Sequence, residues 1–296
     1  MRPANPFSGP PALGGPVRID LHTHSTVSDG TLTPAQLVAH ARERGLAALA
    51  LTDHDHVGGL AEARREGERL GVEVVAGVEL SAEDPEAGEL HLLGYLFDEE
   101  DPALLARLEA LRDARALRGA RMVERLREAG LDVSLDEVVR EVAPGASLGR
   151  PHVARVLVAK GHAASIEDAF DRWLGEGRPG HVPKERLAPE EAMGLIHAAG
   201  GVVSLAHPVT IRDEKQEALV RRLAALGLDG IEVVHSKHGP HERSRFGGWA
   251  KALGLVATGG SDFHGANKPD VELGDGKRGN VRVGPETLAA LRQRLP

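Results

Sequence analysis

The chain has 296 residues and a formal net charge of −8, with 36 Lys and Arg against 44 Asp and Glu. Hydrophobic residues make up 41%, sufficient for a globular core, but aromatics are only 3%, which together with the acidity argues against an extended nucleic-acid groove. No cysteine is present, so disulfides, thiolate metal sites and cysteine nucleophiles are excluded; no apolar run reaches a membrane span, and a cytoplasmic setting is expected.

Residues 1–16, rich in Pro and Gly and without an apolar signal segment, read as a disordered leader. "VRIDL" is a strand; Thr33 and Pro34 then supply an N-cap and first position for the helix "PAQLVAHARERG". "LAALALT" is the next strand and "GGLAEARREGERLG" the next helix, closed by Gly71, before the strands "VEVVAGVEL" and "ELHLLGYLF". This rhythm predicts a largely parallel sheet with helices outside it. Residues 99–182 read as a helical insert: a long helix, or two, from Asp101, then helices opened by Ser134 with Glu137 and by Ser165. A helix from Pro189 leads back to the strands "VVSLAH", "GIEVVH" and "LVATGGSDFH"; "GANKPDVELGDGKRGN" reads as a surface loop, and "ETLAALRQRL" as a final helix. The expected architecture is an α/β barrel over 17–98 and 183–296, with 99–182 inserted as a cap.

Polar groups recur at the strand ends. The first strand delivers His22 and His24, with Asp29 beyond; the second delivers Asp53, His54 and Asp55; the third Glu79; and the fourth His91. The fifth ends in His207, the sixth carries Glu232 and His235, and the last delivers Asp262 and His264. In α/β barrels the βα loops converge at the C-terminal face of the strands. Imidazole and carboxylate without thiolate suit manganese, iron or zinc, and a metal uses about three or four protein ligands. The candidates outnumber one site and predict two or three divalent ions, the usual apparatus of phosphoryl hydrolysis. His40, His162, His181 and His197 lie away from strand ends and carry no metal role.

In order along the chain, "HTHS", "LTDHD", "GVEL", an internal histidine, "AHP" and "SDFH" resemble the PHP (polymerase and histidinol phosphatase) superfamily, over about Val17 to Gly265. The resemblance implies a distorted, TIM-like (β/α)7 barrel with a trinuclear centre. His22, His24, Glu79 and Asp262 would hold one ion, with Glu79 bridging to a second held by His91 and His207. Asp29, His54 and His264 would hold the third, although family members often have histidine at the position of Asp29. "LGRPHVARVLVAKG" and "FDRWLGEGRPGHVPK" are similar to the stand-alone branch of nucleotide phosphatases, which act on 3′,5′-nucleoside bisphosphates, AMP or short RNA ends. That likeness makes Arg150, Lys184 and His238 substrate contacts, while Val234 stands where the branch commonly has an aromatic. It implies metal-hydroxide attack on the phosphate of a small nucleotide, with His22, His24, Glu79, His207, Asp262 and His264 catalytic through the metals and His264 or His207 aiding the leaving alkoxide. The alternatives are an AMP or histidinol-phosphate phosphatase and a non-catalytic interaction module.

Overall fold

The run Arg18–Thr23 is buried from Ile19 onward and forms the first strand, β1, of a computed structural model that describes residues 17–142, 148–183 and 186–296, the side chains of 115 and 116 excepted. Apolar runs of similar length give β2 (Leu46–Leu51), β3 (Glu73–Asp84), β4 (Gly88–Tyr95), β5 (Val202–Leu205), β6 (Gly230–His235) and β7 (Val256–Gly260). They make one seven-stranded sheet in chain order. It curls toward closure: Thr23 bridges Phe263 in parallel, Asp262 N–H donates to His22 O at 2.9 Å, and His24 N–H donates to Phe263 O at 3.0 Å. Gly260 permits this approach, because a Cβ there would lie 2.4 Å from His22 Cβ.

The sheet departs from the expected parallel arrangement in one place. β4 runs antiparallel to both β3 and β5, and β3 continues past Glu79 to Asp84. Only three residues separate β3 from β4, and so short a link can join only antiparallel neighbours. His91 therefore lies mid-strand on a reversed strand, not near a C-terminal strand end.

Two compact units divide the chain, one reaching to Leu105 and resuming at Leu187–Pro296, the other Ala106–Arg186. In the first, α1 (Pro34–Glu43) is opened by a Thr33–Gln36 capping box and α2 (Leu60–Leu70) is closed by Gly71 at φ +70°. Its barrel core includes Ile19, Leu21, Ala50, Val75, Leu93 and Val202, with Tyr95 Oη donating to Leu21 O at 2.8 Å. Each such large aliphatic side chain withdrawn from water contributes on the order of 2 kcal/mol.

The 27-residue helix α3 (Pro102–Glu128) starts in the first unit and continues from Ala106 in the second. There it is followed by α4 (Leu135–Arg140), α5 (Arg150–Ala159) and α6 (Ile166–Ala169), and Met122, Leu126, Val153, Leu157 and Leu174 build a separate core. Back in the barrel unit come α7 (Pro189–Ala198), α8 (Asp213–Ala225), α9 (Pro240–Leu253) and α10 (Pro285–Arg292). The segment from Gly265 to Asn280 is more than a surface loop: Val271 and Leu273 are buried, and Gly274 N–H donates to the buried Asp20 at 2.8 Å. No helix among the described residues is long and apolar enough to cross a membrane.

Candidate metal centre

His22 and His24 lie two apart on β1 and so share a face, while Thr23 between them turns away and donates to Ala50 O at 2.7 Å. Glu79 comes from the middle of β3 and is 1% exposed. Five imidazoles converge on it. His22 Nε2, His24 Nε2 and His54 Nδ1 lie 3.2, 3.1 and 3.3 Å from Oε2; His91 Nδ1 and His207 Nε2 lie 2.7 and 2.9 Å from Oε1. Burial pushes the Glu79 carboxyl up, but His54, His91, His22 and the contact from His207 outweigh it and hold it well below the usual range.

The loop after β1 brings Asp29 to the same place. Asp53 accepts from Ser25 N–H at 2.8 Å, Ser25 Oγ at 2.7 Å and Ser28 Oγ at 2.6 Å, and Gly30 turns so tightly that a Cβ would sit 2.3 Å from His24 O. Asp29 then stands 3.2 Å from His264 Nε2, 3.6 Å from His24 Nδ1 and 3.7 Å from His54 Nε2. Of "TDHDH", only His54 faces the centre. Asp53 braces the first loop, and Asp55, at φ +50°, accepts from Ser81 N–H and Oγ at 2.8 and 2.9 Å.

Asp262 and His207 hold left-handed backbone at φ +58° and +23°, a conformation costly for side-chain-bearing residues and concentrated at functional sites. Asp262 Oδ1 lies 3.6 and 3.5 Å from His22 and His24 Nε2, whereas Oδ2 faces Lys268 Nζ at 2.6 Å and His235 Nε2 at 3.4 Å. Asp20 fixes this corner from beneath, accepting from Ser261 N–H at 2.9 Å and His22 N–H at 3.2 Å.

Whether these groups suit a metal turns on which ring nitrogens carry protons, assigned here from the hydrogen-bond network. His22 Nδ1–H donates to Glu232 at 3.0 Å, His207 Nδ1–H to Thr210 Oγ1 at 3.2 Å, and His264 Nδ1–H to Asp262 O at 2.9 Å. Burial pushes His22 down, but the Glu232, Glu79 and Asp262 carboxylates outweigh it and hold it well above its ordinary 6.5, so without a cation its Nε2 also holds a proton toward Glu79, the one a bound ion would displace. The Nε2 of His207 and of His264, with the proton on Nδ1, is bare and faces a carboxylate oxygen of Glu79 or Asp29, lone pair against lone pair. His24 Nε2 and His54 Nδ1 are buried without any hydrogen-bond partner. Burial, followed by the other histidines, pushes His24 down to about 4, and burial does the same to His207, leaving both neutral near pH 7. A cation between these nitrogens and carboxylates removes the repulsion, and imidazoles with their second nitrogen committed to an acceptor are the usual form of metal-ligating histidine. The residues fit divalent ions.

Four groups with mutually close ligand atoms tile the bowl: His22–His24–Asp262, His22–Glu79–His207, His54–Glu79–His91 and His24–Asp29–His54–His264. A fifth, His22–Glu232–His235, has a different character. Glu232 spends one oxygen on His22 and the other on His207 N–H at 2.7 Å, and His235 Nδ1 accepts from Lys237 N–H at 3.1 Å, so its Nε2 carries a proton. These two are supports. A cavity of about 270 Å³ opens beside Glu79 and Asp262, lined also by His54, His91, His207 and Thr210.

The family model of the PHP domain matches residues 20–182. The chain belongs to the PHP domain family. A 3′,5′-nucleoside bisphosphate phosphatase of Chromobacterium violaceum is 37% identical to this PHP chain over 260 residues, 86% of this chain and 90% of its own length. The 5′-3′ exoribonuclease Rnm of Escherichia coli is 37% identical over 259 residues, 86% and 87% of the two lengths. Among solved structures, a Bifidobacterium adolescentis protein classed with the metal-dependent phosphoesterases superposes with a TM-score of 0.81 at 33% identity, covering 97% of this chain and 98% of its own. This PHP protein is a metal-dependent phosphoesterase, a hydrolase on a distorted TIM-like barrel.

The nine residues expected as ligands in this PHP chain, His22, His24, Asp29, His54, Glu79, His91, His207, Asp262 and His264, are brought together. His238 is not presented to the cavity. It is 1% exposed, its ring packs 5.1 Å from His235 and 4.9 Å from Phe246, and Nδ1–H donates to Val233 O at 3.0 Å, so it anchors its loop. Arg150 opens α5 in the second unit with its guanidinium over Phe170 at 5.5 Å, and Lys184 lies outside the described residues. His207 and His264 each donate Nδ1–H to a neighbour, to Thr210 Oγ1 and to Asp262 O. Lys237 and Lys268, which line the cavity, were missed; nothing in "HSKH" or "GANKPD" tells a cavity lysine from a solvated one.

Proposed function

We propose that this PHP enzyme releases a phosphate from a 3′,5′-nucleoside bisphosphate, with short 5′-phosphorylated RNA ends as a second class of substrate, and that it works with three divalent ions. The observation that carries the reading is the convergence of five imidazoles on Glu79, with Nε2 of His22 and His207 among the nitrogens that face it. His22, His24, Glu79 and Asp262 would hold the first ion, Glu79, His91 and His207 the second, and Asp29, His54 and His264 the third. Bound there, manganese, iron or zinc ions supply an activated water and neutralise charge on the phosphate.

The chain's own residues do the rest. Glu232 and Thr210 keep the proton on the far nitrogen of His22 and His207, so the near nitrogen stays a donor toward an ion. Asp20 and Asp53 hold the backbone that presents His22, Asp262 and Asp29. No side chain is placed as a nucleophile; what the bowl provides is orientation of the phosphoester for in-line attack. The names of the relatives support the nucleotide class, and Arg150 and Lys184 are assigned to substrate on resemblance alone.

Phosphate release from adenosine 3′,5′-bisphosphate, AMP, 5′-phosphorylated trinucleotide RNA and histidinol phosphate, each with Mn, Fe and Zn, tests the proposal. The bisphosphate should give the highest kcat/KM, and a preference for histidinol phosphate would overturn the substrate class. The double variant His22→Ala/His24→Ala should lose turnover and bound metal together; full activity in it would overturn the mechanism.

A further inference from the structure

We propose that Lys237 and Lys268 form a cationic lip on the barrel, an anion subsite that takes the second, non-reacting phosphate of the substrate. This rests on the reading of the bowl as a phosphoesterase centre and names how it selects a doubly phosphorylated ligand. The chain holds seven lysines, and two of them, with no arginine among the described residues, line the cavity that borders Glu79 and Asp262. They come from opposite sides of one seam: Lys237 follows β6, and Lys268 follows the end of β7.

Each lysine is held where it is useful. Lys268 Nζ donates to Asp262 Oδ2 at 2.6 Å and is 32% exposed, which fixes the ammonium at the edge of the centre and leaves two of its three protons for an anion. Lys237 is exposed and has no ion-pair partner among the described residues, yet its backbone is clamped. Its N–H donates to His235 Nδ1 at 3.1 Å. On one side Ser236 Oγ donates to Ser261 O at 2.5 Å and Asn280 Nδ2 donates to Ser236 O at 3.0 Å; on the other stands the buried His238 anchor. A solvated surface lysine requires no such scaffold. Inward-turned His238 thus serves the lip by fixing its neighbour.

The electrostatic need is plain. Ions held by the bowl would neutralise Glu79, Asp262 and the phosphate seated on them, but Glu89, which also lines the cavity, still faces a second phosphate. A second phosphate needs ammonium donors of its own within the same cavity, and a charge-assisted hydrogen bond realised only with that group discriminates against a monophosphate.

The test pairs adenosine 3′,5′-bisphosphate with AMP on the metal-loaded enzyme, for wild type, Lys237→Ala, Lys237→Arg and Lys268→Ala, with metal content measured in each because Lys268 also touches Asp262. The bisphosphate-to-monophosphate ratio of kcat/KM should fall about tenfold or more in Lys237→Ala and be partly restored in Lys237→Arg. An unchanged ratio in both Lys237→Ala and Lys268→Ala overturns the lip while leaving the phosphatase reading intact. Calorimetric binding of the two nucleotides separates the failures further. Wild type that turns over neither nucleotide overturns the nucleotide reading, whereas bisphosphate binding equally tight in wild type and Lys237→Ala overturns the lip with or without turnover.

Discussion

Glu232→Gln isolates the tautomer argument. Glu232 is fully buried, and burial raises its carboxyl, but His235 and His22 outweigh that and hold it at about 2, so it is an acceptor at both oxygens. One oxygen takes His207 N–H at 2.7 Å and the other takes His22 Nδ1–H at 3.0 Å. An amide has only one oxygen. The backbone N–H of His207 cannot change its character, so the glutamine oxygen stays with it and the NH₂ turns to His22. With a cation competing for the ring, the one remaining His22 proton then belongs on Nε2, which points at Glu79, and the lone pair offered to the cation is gone. Loss of a hydrogen-bond partner behind a ligand costs about 10–100-fold in metal affinity, about 1.4–2.7 kcal/mol. Chelator competition on the refolded apoprotein should show that weakening, with kcat/KM at limiting metal falling in step and recovering in part at saturating metal. A folded Glu232→Gln protein with wild-type metal affinity and activity would refute the assignment of Nε2 as the nitrogen His22 offers a cation.

Three further outcomes follow from other parts of the molecule. Chelation should abolish phosphate release and lower the melting temperature; restoring an ion at about 100 times its Kd adds about 2.7 kcal/mol of stability, and a melting curve indifferent to chelator would contradict a centre buried this deeply. Gly260→Ala should unzip the β1–β7 seam, since its Cβ would lie 2.4 Å from His22 Cβ and N; a loss of about 1–3 kcal/mol in urea unfolding, with weaker metal binding, is expected, and a neutral effect on both would refute that closure. Asp84 caps the β3–β4 turn: burial raises its carboxyl, but the backbone N–H groups of Ala87 and Glu86 and the Arg222 guanidinium outweigh it and hold it below the ordinary 3.8. A folded value below the unfolded one stabilises fully above about pH 4 and is lost as pH falls through the folded value, so the stability gap between wild type and Asp84→Asn should narrow below pH 4. A gap constant from pH 7 to pH 3 would refute it.

The barrel was legible because its strands are short apolar runs with chemistry placed at their ends, and because caps such as Thr33 and stops such as Gly71 are local. The reversal of β4 was hidden, since "ELHLLGYLF" has the same composition either way; only the brevity of the link after Asp84 betrays the direction. The loop from Gly265 to Asn280 misled for a related reason. Its Gly, Pro and Asp content signals turns, but the burial of Val271 and Leu273 and the bond from Gly274 to Asp20 depend on a strand about 250 residues earlier.

Residue type and position locate the centre, but the atom that does the work is chosen elsewhere. His22 and His235 illustrate this: both are fully buried, both sit at strand ends, and both face Asp262, at 3.6 and 3.4 Å. Behind His22 stands a carboxylate, Glu232, which keeps a proton on Nδ1 and leaves Nε2 as the nitrogen a cation can claim; behind His235 stands a backbone N–H, that of Lys237, which occupies Nδ1 and puts the proton on Nε2. The first ring can therefore give an electron pair to a cation, and the second presents only an N–H toward Asp262. Neither partner is adjacent in a way a sequence pattern records, for Glu232 lies 210 residues from His22, and the N–H of Lys237 is a group every non-proline residue possesses. Exchanging acceptor for donor behind a single ring, as Glu232→Gln does, is thus expected to turn a ligand into a support without altering any residue that touches the metal.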